Sequence, residues 1–381
     1  AGWYGAGSGP WHQQVGDWRE KEDGAFRGQM RAFAAEVRAA GLGFGLWVEP
    51  ERIGSAAPFL REHPEWCRPG DGGFFAPDLT NPQAAEAVYA ELERLVQDYG
   101  LVWMKIDFNF ELGAAADELA GYYQGWYRLL DRLRAAHPAL FVEACASGGM
   151  RCDLNTLRHC DAHFLSDSVN PLDVIRIGEG AGLRLPAGRL TRWAVVRPAS
   201  VLPKDGPPNS QALPVLTPNC AGWDNAFLAD LDFVVRVAFP GVLGLSGDLA
   251  GLDPATLQRL AQHVAIYKNL RGFIRGALAY PLTPIRGQND IEGWAGIQLQ
   301  SPGQDAFNLV LAYRLRGTAA QTWLRLHSLD AQADYQVSDE DGLQKTQTLS
   351  GAALMSAGLP VQIDHFNGAA LLKVTRLPAR P

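Results

Sequence analysis

The chain has 381 residues, is 47% hydrophobic and carries a net charge of −7, which suits a barrel of roughly 250 residues plus a smaller module. No apolar run reaches the roughly 18 residues that a membrane span needs, and an acidic balance with a pI of about 5.7 argues against a nucleic-acid partner, which requires a basic surface. Cys67, Cys145, Cys152, Cys160 and Cys220 form no CxxC pair and read as reduced thiols of a cytoplasmic protein, while eight histidines without an HExxH motif give no metal and no cofactor to expect.

The chain opens on AGWYGAG, with Ala1 and no basic-then-apolar leader, and this reads as a loop leaving a strand that lies upstream. Residues 25–40 form a helix pattern ending at Gly41. FGLWVEP (44–50) reads as a buried strand and FAPDLT (75–80) as a short one. A helix over 82–98, the strand LVWMKIDF (101–108), a helix over 114–136 and the strands ALFVEAC (139–145) and HFLSD (163–167) follow. WAVVRP (193–198) and FPGVLGLS (239–246) are weaker strand patterns, and a helix covers 254–271.

Continuous apolar runs mark strands buried on both faces, and their alternation with helices implies a parallel sheet. Seven strands, with an eighth before Ala1, predict an α/β (β/α)8 TIM barrel over residues 1–285 whose first strand is missing or truncated. Beyond residue 285 the pattern changes. IEGWAGIQLQ, FNLVLAYRL, TWLRLHSL, ADYQVSD and GAALLKVTRL are short β-type runs separated by Gly, Asp, Ser and Pro. They predict an antiparallel all-β sandwich over 286–381.

Barrel chemistry sits at the C-terminal ends of the strands. Those ends supply Trp47 and Glu49, Asp78, Lys105 and Asp107, Glu143 and Cys145, and Asp167. Buried runs that finish in carboxylates are costly unless the charge is paired or used. Two of these acids suit glycosidic cleavage, one attacking the anomeric carbon and the other protonating the leaving oxygen. Retention then needs the carboxyl groups about 5–5.5 Å apart. Lys105, on the same strand face as Asp107, would keep that acid ionised. The structural alternatives are an Asp107–Lys105 pair, Asp167 as a helix cap, Trp47 and Cys145 as packing, and Asp17 and Trp18 as loop packing. Glu49, Glu143 and Arg151 are equally readable as structural ion pairs. Of the eleven tryptophans, a few suit flat platforms for sugar faces.

GWYG (2–5), GDW (16–18), FGLWVEPE (44–51), KIDFNF (105–110), EACASGGMRCD (143–153), LSDSVNPLDVIR (165–176) and IYKNLR (266–271) occur in one order. In that order they resemble glycoside hydrolase family 36, the α-galactosidases; the tail SGAALMSAGLPV (350–361) extends the likeness. KIDFxF resembles a compact minority branch. The resemblance implies a retaining mechanism with Asp107 as nucleophile and Asp167 as acid/base. It implies Trp47, Lys105, Cys145, Gly148 and Gly149 as sugar contacts, with Asp17 and Trp18 of GDW beside them. Three positions depart from the family. Ala1 stands where an acid precedes GW, Phe110 where many members have Arg, and DGGFFAPDLTNP lacks an upstream Arg. The implied partner is an α-galactoside oligosaccharide or glycoside, with neither nucleic acid nor membrane, and members often form homo-oligomers. The alternative readings are an α-N-acetylgalactosaminidase or a raffinose-synthase-type transglycosylase on the same fold, or a degenerate non-catalytic sugar-binding protein.

Overall fold

The structure is a computed structural model that describes residues 2–7, 9–113, 116–199, 213–219, 222–287, 289–303, 307–342 and 344–378. The chain divides into two compact units, Ala1–Phe164 and Leu165–Pro381.

In the first unit the elements run α1 (Trp11–Gln14), α2 (Met30–Ala39), β1 (Phe44–Val48), α3 (Pro58–Glu62), β2 (Cys67–Pro69), β3 (Phe75–Pro77), α4 (Pro82–Tyr99), β4 (Leu101–Ile106), α5 (Ala116–Ala136), β5 (Phe141–Ala144) and β6 (Ala162–Phe164). Strands β1, β4, β5 and β6 pair in that order, all parallel. Most of their apolar side chains are buried, Val48, Met104 and Val142 fully so, while Val102 near the start of β4 is exposed, which fits a sheet covered on both faces over most of its length. Helix α4 is delimited by local chemistry. The Asn81 side chain caps the Gln83 N–H, Pro82 takes the first position, and Gly100 closes the helix at φ +59°. A Cβ at Gly100 would also sit 2.9 Å from the Arg38 guanidinium.

Two expectations change here. FAPDLT does not supply a barrel strand: β3 pairs antiparallel with β2, Cys67 opposite Pro77, in a three-residue hairpin, and Phe75 is bridged to Ile53. Helix α2 starts five residues late, at Met30, because residues 24–29 make turns with Arg27 and Gly28 at positive φ. The carboxylate of Glu20 then accepts from the Met30 N–H at 3.1 Å and serves as a remote cap.

In the second unit, α6 (Pro171–Gly182), β7 (Leu190–Pro198), β8 (Pro214–Thr217), β9 (Phe227–Asp230), α7 (Leu231–Ala238), β10 (Val242–Gly247) and α8 (Pro254–Gly276) come first. Strand β10 lies parallel to β7, while β8 and β9 extend β7 antiparallel. Next come β11 (Leu278–Pro281), β12 (Trp294–Gln300), β13 (Phe307–Arg314), β14 (Gln321–Leu324), β15 (Asp334–Asp339), β16 (Gln347–Ser350), α9 (Gly351–Ser356), β17 (Leu359–Gln362) and β18 (Gly368–Arg376). They form a six-stranded antiparallel sheet, β11-β12-β13-β18-β15-β16, and a separate β14–β17 ribbon. Alternation along the strands directs Val310, Ala312, Leu324, Val361, Leu372 and Val374 into one apolar core, with Leu354 of α9.

The parallel strands β1, β4, β5, β6, β7 and β10 are thus repeats of the (β/α)8 class, followed by a β domain. Among the described residues they number six, and no parallel strand precedes β1; Tyr4 makes only an isolated bridge to Glu20.

Candidate active site

Parallel register lines up the strand ends. Trp47 lies opposite Lys105, and Lys105 opposite Glu143. Two residues further on, Glu49, Asp107 and Cys145 form a second row just past β1, β4 and β5. Backbone bonds extend the sheet into that row, from Asp107 N–H to the Val48 carbonyl and from Cys145 N–H to the Ile106 carbonyl, each at 2.8 Å. The sheet therefore brings these six side chains together at the ends of neighbouring strands.

Asp107 is 8% exposed. Its Oδ2 accepts from the Trp47 indole at 3.0 Å and its Oδ1 from the Phe108 N–H at 2.8 Å. Burial alone would push this carboxyl up, but hydrogen bonds from the Asn109 side chain, Trp47, the Cys145 thiol and Phe108 outweigh it and hold the group below the usual carboxylate range. Lys105 is committed elsewhere than expected. Its ammonium donates to Glu143 Oε1 at 2.9 Å and sits 3.2 Å from the centroid of the Phe164 ring, so the leading stabilisers of the Asp107 carboxylate are neutral donors. Burial pushes the Cys145 thiol well up, which keeps it an S–H donor toward Asp107 and not a thiolate.

Glu49, fully buried, accepts from the Asn109 N–H at 2.6 Å and faces Arg52 at 3.5 Å. Burial pushes its carboxyl up to about 7, against the opposing pull of Arg52 and the Asn109 N–H. Asn109 has a further role, because its Oδ1 accepts from Ser147 N–H and Oγ at 3.2 and 2.9 Å. It thereby ties the segment after Asp107 to the CASGG turn. That turn needs left-handed backbone, with Ser147 at φ +41° and Gly148 at φ +80°, and it is closed by the Ala146–Gly149 bridge. Beneath it, Glu51 accepts from Arg151 at 2.7 Å and Tyr122 at 3.0 Å, and the Arg151 guanidinium stacks 3.4 Å from the Phe108 ring centroid. The cavity behind Cys145 is only ≈ 20 Å³, room for a water and no more.

Trp47, half-buried, is backed by buried Trp3, Tyr4 and Trp18. The Tyr4 ring stacks on Trp47 at 6.1 Å and Trp18 meets it edge-on at 6.2 Å, and the Trp3 indole donates to the Trp47 carbonyl at 2.9 Å. Asp17 is buried and taken up by Arg19, at 2.7 and 2.8 Å, and by the Ala6 N–H at 3.1 Å. Asp17 and Trp18 therefore hold the loop against Trp47. Asp78 is used by Thr80 and Arg68, which fixes the hairpin after β3.

Asp167 belongs to the second unit and is exposed in a bend between β6 and α6. It does not cap α6. Asn170 does, accepting from the Leu172 N–H at 3.0 Å, with Pro171 as the first helical residue. Of the other residues singled out from sequence, Trp47, Lys105, Asp107, Cys145, Gly148 and Gly149 lie at or just past the ends of β1, β4 and β5. The residue missed is Asn109. Its signal was a lone amide two positions past Asp107, and loop amides are common enough that only the contacts distinguish it.

The sequence of residues 1–207 matches the family model described as Melibiase, and residues 297–371 match the one described as Glycosyl hydrolase family 36 C-terminal domain. Alpha-galactosidase AgaA of Geobacillus stearothermophilus is 26% identical over 96% of this chain and 48% of its own length. Alpha-galactosidase C of Emericella nidulans is 25% identical over 95% of this chain and 46% of its own length. The crystal structure of AgaA superposes with a TM-score of 0.78 at 24% identity, covering 98% of this chain and 50% of that one. A variant of the same enzyme in complex with raffinose superposes equally well, at 23% identity and over the same shares of both chains. The chain spans about half the length of these relatives.

Proposed function

The chain belongs to the Melibiase family, glycoside hydrolase family 36, and from that premise we propose that it hydrolyses terminal α-galactosyl units by double displacement. The Asp107 carboxylate attacks the anomeric carbon. The bond to the leaving oxygen breaks as that oxygen takes the Asp167 proton, leaving a glycosyl ester on Asp107. Water then attacks the same carbon, gives its proton to the Asp167 carboxylate, and frees Asp107 with the α configuration retained. Trp47 provides a flat apolar wall for the sugar, Lys105 binds a hydroxyl, and Cys145, Gly148 and Gly149 shape the pocket floor. Asp17 and Trp18 keep Trp47 in place.

The observation that carries this reading is the state of Asp107. It is buried at a strand end yet held ionised by an indole, an amide, a thiol and a backbone N–H, donors that stabilise a carboxylate without cancelling its charge. That is the condition a carboxylate nucleophile needs. Raffinose bound to the AgaA variant supports an α-galactoside oligosaccharide as the substrate class. The unbridged thiols of Cys67 and Cys145 fit a cytoplasmic setting, and in this reading residues 1–285 carry the catalytic barrel and 286–381 the sandwich.

The test is to incubate the protein with an aryl α-galactoside and follow the first-formed sugar by proton NMR. We expect α-galactose before mutarotation. β-Galactose first would exclude double displacement, and no release of the aryl group would exclude the activity.

A further inference from the structure

The second unit contains a cleft of ≈ 850 Å³ walled by α7, α8, the β14–β17 ribbon and the turn between β15 and β16. Its size falls within the range of small-molecule sites. We infer that this cleft and the ribbon beside it form a binding site for a neutral oligosaccharide, separate from the strand-end residues of the first unit.

The ribbon supplies the first argument. Gln321 faces Gln362 and Trp323 faces Pro360 across β14 and β17. Thr322, Leu324, Leu359 and Val361 alternate to the other side, where Leu324, Leu359 and Val361 join the apolar core. The outer face therefore carries a pair of opposed amides and, two residues along, an indole beside a proline ring. Two residues along a strand span about 6.8 Å, about the width of one pyranose ring. Trp323 is 57% exposed and has no ring or cation contact among the described residues. A single exposed tryptophan is ordinary. One aligned with two amides at the lip of a cleft is the arrangement that takes the apolar face of a sugar and its hydroxyls together.

The acids in the cleft are engaged by the protein itself and exclude a cation. Asp232 is bound by Arg259 at 2.5 Å and faces His263 at 2.7 Å. Asp341 meets Arg236 and Arg259. Asp339 accepts the N–H groups of Asp341 and Gln344, and Asp364 accepts from the Gln362 amide. Asp230 accepts from the Leu213 N–H and faces His365. With these carboxylates already engaged, the groups left to a ligand are the amides of Gln321 and Gln347, the amide oxygen of Gln362 and the ammonium of Lys345, which no described residue takes up. Neutral two-way hydrogen-bonding groups match hydroxyls, and a charged ligand finds only one countercharge.

The inference does not depend on the proposed activity, since a chain that hydrolyses nothing still presents this face. The test is calorimetric titration of stachyose into the protein saturated with 1-deoxygalactonojirimycin, which occupies a first site of the α-galactosidase type. We expect one remaining binding event with a dissociation constant on the order of 1 mM. It should weaken at least about tenfold in the Gln321→Ala/Trp323→Ala double variant, whose folding is checked by its thermal midpoint. Should the inhibitor fail to bind, the event sensitive to the double variant still reports the cleft. No stachyose binding beside the inhibitor, or binding unmoved by the double variant, would overturn the inference, as would competition by calcium chloride.

Discussion

The strand ends of β1, β4 and β5 bury carboxylates and the first turn of α7 half-buries one, but they neutralise them by different means. At α7 the charges are closed on one another. Asp232 engages Arg259 and His263, Asp341 engages Arg236 and Arg259, and Arg236 also lies 3.9 Å from Asp232. The Asp232 carboxyl, pushed up by burial, is pulled far below its ordinary value by His263 and the two arginines. At the strand ends, Lys105 with Glu143 and Arg151 with Glu51 are paired in the same way, whereas Asp107 is held by neutral donors. Ion pairing spends a carboxylate's charge on a fixed structural partner. Neutral donors around one carboxylate keep a charge available to a substrate.

The comparison breaks first at Asp107. Asp107→Asn should lower turnover of an aryl α-galactoside by at least ~10⁴-fold, as loss of a nucleophile does, with little change in urea midpoint. A variant that keeps a tenth of the activity would place Asp107 among the braces. Arg236→Met tests the other side. Arg236 is 2% exposed, and removing it leaves the Asp341 carboxylate short of a partner, so equilibrium unfolding in urea should show a loss of about 3–5 kcal/mol. Its kcat/KM should stay within about threefold while folded. A collapse of kcat/KM in the folded variant would give the brace a catalytic role.

Glu49→Gln sharpens the comparison through pH. The folded Glu49 carboxyl lies near 7 against an ordinary 4.5, so its contribution to stability is complete below 4.5 and disappears as pH rises through 7. The native protein should therefore lose stability relative to the Gln variant over that window, by on the order of 3 kcal/mol. Parallel stability curves for the two would mean that Glu49 is already ionised in the fold. The smallest effects belong to single donors. Asn109→Ala or Cys145→Ala should lower kcat by roughly 10–100-fold. Each removes a bond that favours the charged form, so the acid limb of kcat/KM should move to higher pH; an unmoved limb would show that the donor does not act on Asp107.

Much of this was legible from residues because it rests on backbone periodicity. The apolar runs at 44–50, 101–108 and 139–145 end within two residues of the strand ends, and the period of two puts Lys105 and Asp107 on one face. FAPDLT misled because three apolar residues fit a hairpin as well as a barrel strand, and only the bridge from Phe75 to Ile53 separates the two. The helices at Pro171–Gly182 and Leu231–Ala238 are not legible in the sequence: the first carries three glycines in its last five residues and the second is only eight residues long, so neither gives a long periodic run. Partner choice is the least legible level. Nothing in KIDF or VEAC says that Lys105 chooses Glu143, or that Asn109 bridges Asp107 and Ser147, because those choices depend on parallel register between strands distant in sequence.

The measurement that tests the central claim most directly is the stereochemistry of azide rescue. In Asp167→Ala, an activated aryl α-galactoside should still form the glycosyl ester, and azide, which needs no general base, should attack it to give the α-azide. In Asp107→Gly no ester forms, and azide entering from the vacated face should give the β-azide. Those two products, in that assignment, are what the account predicts. The β-azide from Asp167→Ala with the α-azide from Asp107→Gly would show that the two roles are reversed, and full activity in both variants without azide would place neither residue in the site.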